Sequence, residues 1–152
     1  MARQQKNPIS ILYEDNHLLV VEKPVNMPTQ ADASRDMDLL TLLKKDLKIR
    51  YQKPGNVYLG LVHRLDRPVG GVMVFAKTSK AASRLSQQVR NHSLERIYLA
   101  VLHGTPNPLE GRLEHYLKKD RSANIVHVVR PSDKDGKKAI LEYSVLKEGK
   151  RN

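Results

Sequence analysis

The sequence contains no cysteine and no tryptophan, and only one of its 152 residues is phenylalanine. Without cysteine the chain can form neither a disulfide nor a cysteine-ligated zinc site, and it has no thiol nucleophile. This fits a cytoplasmic protein. Because aromatic residues are scarce, Val, Leu and Ile must fill most of the core, and each of the six tyrosines merits individual inspection.

Long apolar runs are also missing, and the first residues, Met1 to Asn7, are polar and basic. Every apolar run is far shorter than the ~20 residues that span a bilayer, and the start of the chain does not resemble a signal peptide. The histidines show no metal-ligand spacing, and no glycine-rich phosphate loop is present. The sequence therefore predicts no membrane anchor and no metal site.

Basic residues, in contrast, are abundant. Lysine and arginine outnumber aspartate and glutamate by 27 to 16, so the formal net charge is +11 and the pI is about 9.9. Such an excess in a small chain creates a long-range positive field that favours a polyanionic partner such as nucleic acid. The alternative is a solvated basic surface without a partner.

The order of apolar segments predicts an α+β protein with a mixed, mainly antiparallel sheet flanked by helices. The length predicts one domain, over residues 9–152, after a basic N-terminal arm at residues 1–8. Leucines at helical spacing predict a helix over 37–47, and Ala82, Leu85 and Val89 predict the inward stripe of a second helix that begins after Thr78 or Ser79. Strands are predicted at 9–14, 18–22, 57–62, 71–77, 96–102, 113–117, 124–129 and 139–146.

One loop between two predicted strands carries an aspartate flanked by basic residues, in the run His63-Arg64-Leu65-Asp66-Arg67-Pro68-Val69-Gly70-Gly71. Nearby positive charge favours the ionised carboxylate, so Asp66 could act as a nucleophile or a general base. The two glycines would let a backbone or a ligand approach closely. A structural Arg–Asp ion pair is the alternative. A glycoside or nucleotide hydrolase would need a second carboxylate as its acid, which this loop does not provide.

The same run resembles the signature of the RluA-type pseudouridine synthases, His-Arg-Leu-Asp-x-x-Thr-Ser-Gly. Three further features agree with that family in order and spacing: the opening segment at 13–24, the helix after 76–78, and the run Arg96-Ile97-Tyr98-Leu99-Ala100-Val101. The resemblance covers residues 9–151. It implies a pseudouridine synthase-like catalytic domain that isomerises uridine in ribosomal or transfer RNA, needs no cofactor or metal, and works as a cytoplasmic monomer.

The resemblance also assigns roles to individual residues. Asp66 is the essential carboxylate, although attack on the sugar, attack on the base and proton abstraction all remain open. Tyr98 is the second catalytic residue, with its ring stacked on the base and its hydroxyl near the reacting carbon. Arg64 is expected to fill the space that an extruded base leaves, unless it forms an ion pair. Arg67, His63 and Lys23 are the other residues expected to bind RNA or substrate.

The sequence departs from the family pattern in three places. Val69-Gly70 replaces Thr-Ser, which removes two hydroxyl groups from the loop. Asn26 replaces a glycine in the early loop, where asparagine is expected to keep the turn because it tolerates positive φ. The family's later Gly-Arg-x-His-Gln-Ile-Arg motif is absent. The chain is therefore expected to be the N-terminal portion of the catalytic domain, and an RNA-binding fragment without turnover is the alternative.

Overall fold

The structure, a computed structural model, describes residues 9–149. The predicted basic arm at residues 1–8 therefore lies outside the described residues. The described part contains two helices and seven strands, in the order β1 (Ser10–Glu14), β2 (Leu18–Lys23), α1 (Leu39–Arg50), β3 (Gly60–Leu61), β4 (Gly71–Ala76), α2 (Ser79–Arg90), β5 (Glu110–Asp120), β6 (Ile125–Val129) and β7 (Lys137–Ser144). Neither helix is long and apolar enough to cross a membrane.

The strands form two separate sheets. The first has the order β1-β2-β4-β3 and the second the order β6-β5-β7, and every pair is antiparallel. This confirms the α+β class with antiparallel pairing, although two sheets take the place of the single sheet that was expected. The chain also divides into two compact units, the first ending at Ile97 and the second beginning at Tyr98.

The core of the first unit follows from the two-residue period of its strands. Leu19 and Val21 of β2 are fully buried, and they lie opposite Phe75 and Met73 of β4. The buried stripe of α1 packs on the same core and consists of Leu39, Leu43 and Leu47. Helix and sheet thus bury each other's apolar faces.

Both helices begin at a residue whose side chain caps the first turn. Asp38 accepts a hydrogen bond from the Thr41 N–H at 3.0 Å, and Thr78 accepts one from the Ala81 N–H at 3.2 Å. These bonds satisfy backbone donors that a helix leaves unpaired at its start. The two predicted helices are confirmed, with α1 running a turn further than expected.

The predicted strand over 96–102 is wrong. The segment has no strand partner among the described residues, and Leu99 and Val101 are 84% and 101% exposed. An apolar run becomes a strand only where a neighbouring strand takes up its backbone hydrogen bonds. The strand predicted at 57–62 is likewise reduced to Gly60–Leu61, which pairs with the end of β4.

Candidate active site

The predicted catalytic loop joins β3 to β4 in the first unit. Asp66 lies in its middle and is exposed, whereas its neighbour Leu65 is 8% exposed and belongs to the core. The Asp66 carbonyl accepts a hydrogen bond from the Val69 N–H at 3.0 Å, which closes a turn around Arg67 and Pro68. Leu65 therefore holds the loop to the core while the turn presents Asp66 to solvent.

Two side chains hold the inner side of this loop: Thr29 from the segment before α1, and His63 from the start of the loop itself. The Thr29 hydroxyl is buried and donates to the Leu65 carbonyl at 2.7 Å. The His63 Nε2 accepts the Val74 N–H at 3.1 Å, so this ring nitrogen carries no proton. Burial lowers the pKa of His63, and the charge of Arg96 lowers it further. His63 therefore fastens the loop to β4 as a neutral ring, and only Nδ1 is left for the predicted contact with RNA.

Lys23 follows Leu19 and Val21 on the buried face of β2, and it is 1% exposed. Its Nζ donates to the carbonyls of Met27, Pro24 and Arg67 at 2.7, 3.1 and 3.2 Å. These bonds join the 24–27 loop to the Asp66 loop. The ammonium group is buried and all three of its protons are hydrogen-bonded to carbonyls, and the contact of Lys23 with RNA stays a prediction.

Gly71 lies opposite Lys23 in the sheet, and its backbone conformation accounts for a glycine at this position. Lys23 pairs with Gly71 in the register of β2 and β4, and Gly71 has φ of 139°, which favours glycine over residues with a Cβ. Burial lowers the pKa of Lys23, while the negative charge of Asp66 acts in the opposite direction. The carboxylate of Asp66 therefore interacts electrostatically with the buried ammonium.

The two arginines beside Asp66 do not pair with it. Arg67 donates to the Asp36 carboxylate at 2.5 Å and to the Ser34 hydroxyl at 3.3 Å. Arg64 is exposed, and within residues 9–149 it forms no ion pair. Within residues 9–149, neither arginine forms the expected alternative, an ion pair with Asp66. The Asp66 carboxylate stays open to solvent.

Two of the departures from the family pattern, Asn26 and Gly70, fit the local backbone of the first unit. Asn26 has φ of 61°, which confirms that asparagine keeps the left-handed turn of the early loop. At Gly70 an added Cβ would lie 3.0 Å from Val25 Cγ1 and 3.2 Å from the Lys23 carbonyl oxygen. The absence of a side chain at 70 therefore lets the Asp66 loop pack directly on the 23–25 segment.

Sequence reasoning missed Thr29 and Asp36, the two residues that hold the loop from the segment before α1. No motif points to either, because their partners are the Leu65 carbonyl and the Arg67 side chain, more than thirty residues away. Tyr98 belongs to the second unit and is 57% exposed. Its catalytic role stays a prediction. No group of three potential metal ligands exists among residues 9–149.

Comparison with known proteins agrees with the motif. Residues 17–152 match the family model described as RNA pseudouridylate synthase. The chain is 32% identical over 145 residues to ribosomal large subunit pseudouridine synthase C of Buchnera aphidicola, a match that covers 93% of this chain and 43% of the relative. It is 35% identical over 144 residues to ribosomal large subunit pseudouridine synthase D of Zymomonas mobilis, with 93% and 45% covered. The chain thus spans less than half the length of these relatives.

Two solved human structures share the fold. Human RNA pseudouridylate synthase domain containing 4 superposes with a TM-score of 0.68 at 21% identity, over 92% of this chain and 54% of that one. Human RNA pseudouridylate synthase domain containing 1 gives a TM-score of 0.65 at 20% identity, over 92% and 53%.

Proposed function

Because the chain belongs to the RNA pseudouridylate synthase family, we propose that it converts uridine in RNA to pseudouridine with Asp66 as the catalytic carboxylate. In this isomerisation the bond from N1 of the base to C1′ of the ribose breaks, the base rotates, and C5 bonds to C1′. The hydrogen on C5 leaves as a proton, and N1 gains one. The reaction is balanced without an oxidant, a reductant or a second substrate.

One observation carries the proposal: an exposed carboxylate that forms no ion pair within residues 9–149 stands on a loop whose backbone is hydrogen-bonded to the rest of the first unit. Lys23, Thr29 and His63 hold the backbone on either side of Asp66. A reacting group gains most when it is positioned before the substrate arrives. Asp66 is therefore ready to meet a substrate, either as a nucleophile or as a base that takes a proton.

The substrate follows from charge and from the names of the relatives. A net charge of +11 suits a polyanion, and the relatives from Buchnera and Zymomonas are named for the ribosomal large subunit. We therefore assign ribosomal RNA as the substrate class, with transfer RNA as the alternative. A uridine stacked in RNA must be turned out of the helix to reach Asp66. We assign to Arg64, which is exposed in the same loop, the role of filling the space that the base leaves.

Tritium release from RNA labelled at C5 of uridine tests this assignment. The wild-type chain should release tritium, and Asp66→Asn should release none while its thermal melt and RNA affinity stay unchanged, because one charge is removed with little change in volume. Asp135→Asn is the matched control, since Asp135 is an exposed aspartate of the second unit. Release by Asp66→Asn at the wild-type rate would exclude the carboxylate mechanism.

The exposed, non-strand conformation of the segment that contains Tyr98 favours a second function, RNA binding without turnover. That segment forms no strand and its side chains are exposed, and the chain spans less than half of its relatives. RNA binding by the wild-type chain with no tritium release would select this function. Metal independence, a monomeric state and a cytoplasmic location stay predictions from the sequence.

A further inference from the structure

Helix α1 carries three lysines along one side of an open groove in the first unit. The groove has a volume of about 480 Å³ and is lined by Lys44, Lys45, Lys48, Gly55, Asn56 and Val57. These residues, here called the lysine groove, come from the second half of α1 and from the loop that follows it. None of them belongs to the loop around Asp66.

The positive charge of the lysine groove is not neutralised by the protein. Within residues 9–149 none of its three lysines forms an ion pair. The one acid of α1, Asp46, is bound by Arg50 at 2.6 Å. Nearby Glu14 is bound by Arg50 and Lys77 at 2.8 and 2.7 Å. The acids of this region are therefore engaged by other cations, and the groove keeps its charge.

The helix geometry brings the three ammonium groups to one side. Lys44, Lys45 and Lys48 fall within about 100° of one another around the helix axis, on the side away from the buried leucine stripe. Residues four apart on a helix are neighbours, so Lys44 and Lys48 stand one turn apart. The groove therefore presents a row of charges and not one isolated lysine.

The chemistry of the groove fits phosphate groups. Protein interfaces are depleted of lysine and rely on aromatic, Met and Arg side chains, whereas the only apolar side chain here is the buried Val57. A membrane-binding helix would offer its apolar face to lipid, but the apolar stripe of α1 is buried in the core. Lysine is a compact charge that binds phosphate without a demand on geometry.

The groove is connected to the loop of Asp66 through the start of helix α1. Arg67, the residue after Asp66, is bound to Asp36, which stands just before the start of α1. From the Asp38 cap to Lys44 and Lys48 the helix rises by about 9 and 15 Å. Each strand of a nucleic acid places phosphates every few ångströms. An RNA strand of several nucleotides is therefore long enough to extend along this rise.

We propose that the lysine groove is a second RNA contact, which binds backbone phosphates of the RNA whose uridine faces Asp66. The proposal takes the RNA partner from the proposed function but does not depend on turnover. It assigns Lys44, Lys45 and Lys48 to affinity and to orientation of the substrate, not to the chemical step.

Binding of a fluorescent RNA stem-loop, measured over a range of salt concentrations, tests the groove. The triple variant K44Q/K45Q/K48Q should bind more weakly. The slope of its log affinity against log salt concentration should be smaller in magnitude by about 2 to 3. The control K134Q/K137Q/K147Q removes the same charge from exposed lysines of the second unit that form no ion pair within residues 9–149, and it should keep most of the slope. Thermal melts of both variants should match the wild type.

Three results would overturn the proposal: equal losses in the groove and control variants, a wild-type slope in the groove variant, or no binding of the stem-loop by the wild-type chain. Unchanged RNA affinity together with lost binding to anionic phospholipid vesicles would assign the groove to a membrane instead. Failure of the proposed function has a different signature, which is RNA binding by the wild type with no tritium release.

Discussion

At the scale of single residues, the least expected feature is the buried charge of Lys23. A buried ammonium is costly unless its protons are hydrogen-bonded, and here three carbonyl oxygens accept them. The lysine thus acts as a fastener between the 24–27 loop and the loop of Asp66. The sequence analysis ended this strand at residue 22 and assigned Lys23 to RNA, because the carbonyls that bind its ammonium group belong to loops that no local pattern brings together.

Replacing Lys23 tests this role. Lys23→Met keeps the aliphatic stem but leaves the carbonyls of Pro24, Met27 and Arg67 without a donor. We expect the free energy of unfolding to fall by about 1–3 kcal/mol, as measured by urea denaturation. Lys119→Met, which changes an exposed lysine of β5, should change stability by less than ~0.5 kcal/mol. Equal stabilities of the two variants would contradict a fastening role for Lys23.

The sequence predicted a catalytic role for Asp66 because the motif that carries it is local, with all its members within nine positions. The contacts that position the loop of Asp66 could not be predicted from such a local motif. The pairing of Arg67 with Asp36 and of Thr29 with the Leu65 carbonyl depends on how distant segments meet in the fold. For the same reason the sequence left the Arg–Asp ion pair open, and the structure decided against it.

At the scale of elements, one carboxylate connects three parts of the first unit. Glu14, at the end of β1, accepts hydrogen bonds from Arg50 at the end of α1, from Tyr51 and from Lys77 after β4. Burial raises the pKa of Glu14, but the bonds to Lys77, Tyr51 and Arg50 outweigh it, so the pKa lies below its usual value. Glu14 therefore stabilises the fold as an anion.

The lowered pKa gives this stabilisation a defined pH dependence. It is complete above the unfolded-state value of about 4.5 and is lost as the pH falls through the lower folded-state value. Glu14→Gln should reduce the free energy of unfolding by about 1–2 kcal/mol at neutral pH, and the difference from wild type should shrink in acid. Urea denaturation at both pH values measures it, with exposed Glu22→Gln as the control. A difference that is constant with pH would contradict the prediction.

Helices and strands that depend on interactions between residues close in sequence were predicted correctly, whereas those that need a distant partner were not. The β1–β2 hairpin and both helices were predicted within a few residues, because turn residues, caps and helical spacing are local. Segment 96–102 was predicted wrongly, since its apolar composition suits a strand but no neighbour is present to pair with it in the described residues. A helix satisfies its own hydrogen bonds, and a strand cannot.

At the scale of the whole molecule, the apolar side chains of 97–102 form a continuous exposed run. Ile97 and Leu102 are 81% and 63% exposed, and Leu99 and Val101 still more. Exposed apolar runs in an extended segment promote self-association. The double variant Leu99→Ser, Val101→Ser should therefore reduce aggregation in light scattering.

The same double variant should leave the melting temperature unchanged, because neither side chain is buried. Leu43→Ala, in the core, should in contrast cost about 2–5 kcal/mol. A large loss of stability from the double variant would show that residues 97–102 pack against the protein in solution.

Because Gly70 lies close to Val25, the residues that one of these positions tolerates depend on the residue at the other. A side chain at 70 would meet Val25 Cγ1 at 3.0 Å and the Lys23 carbonyl oxygen at 3.2 Å, so a serine there is disfavoured. Shortening Val25 relieves only the first of these contacts, because the Lys23 carbonyl belongs to the backbone and stays in place. We therefore expect a shorter residue at 25 to reduce, but not to remove, the cost of a serine at 70, which makes the two substitutions non-additive.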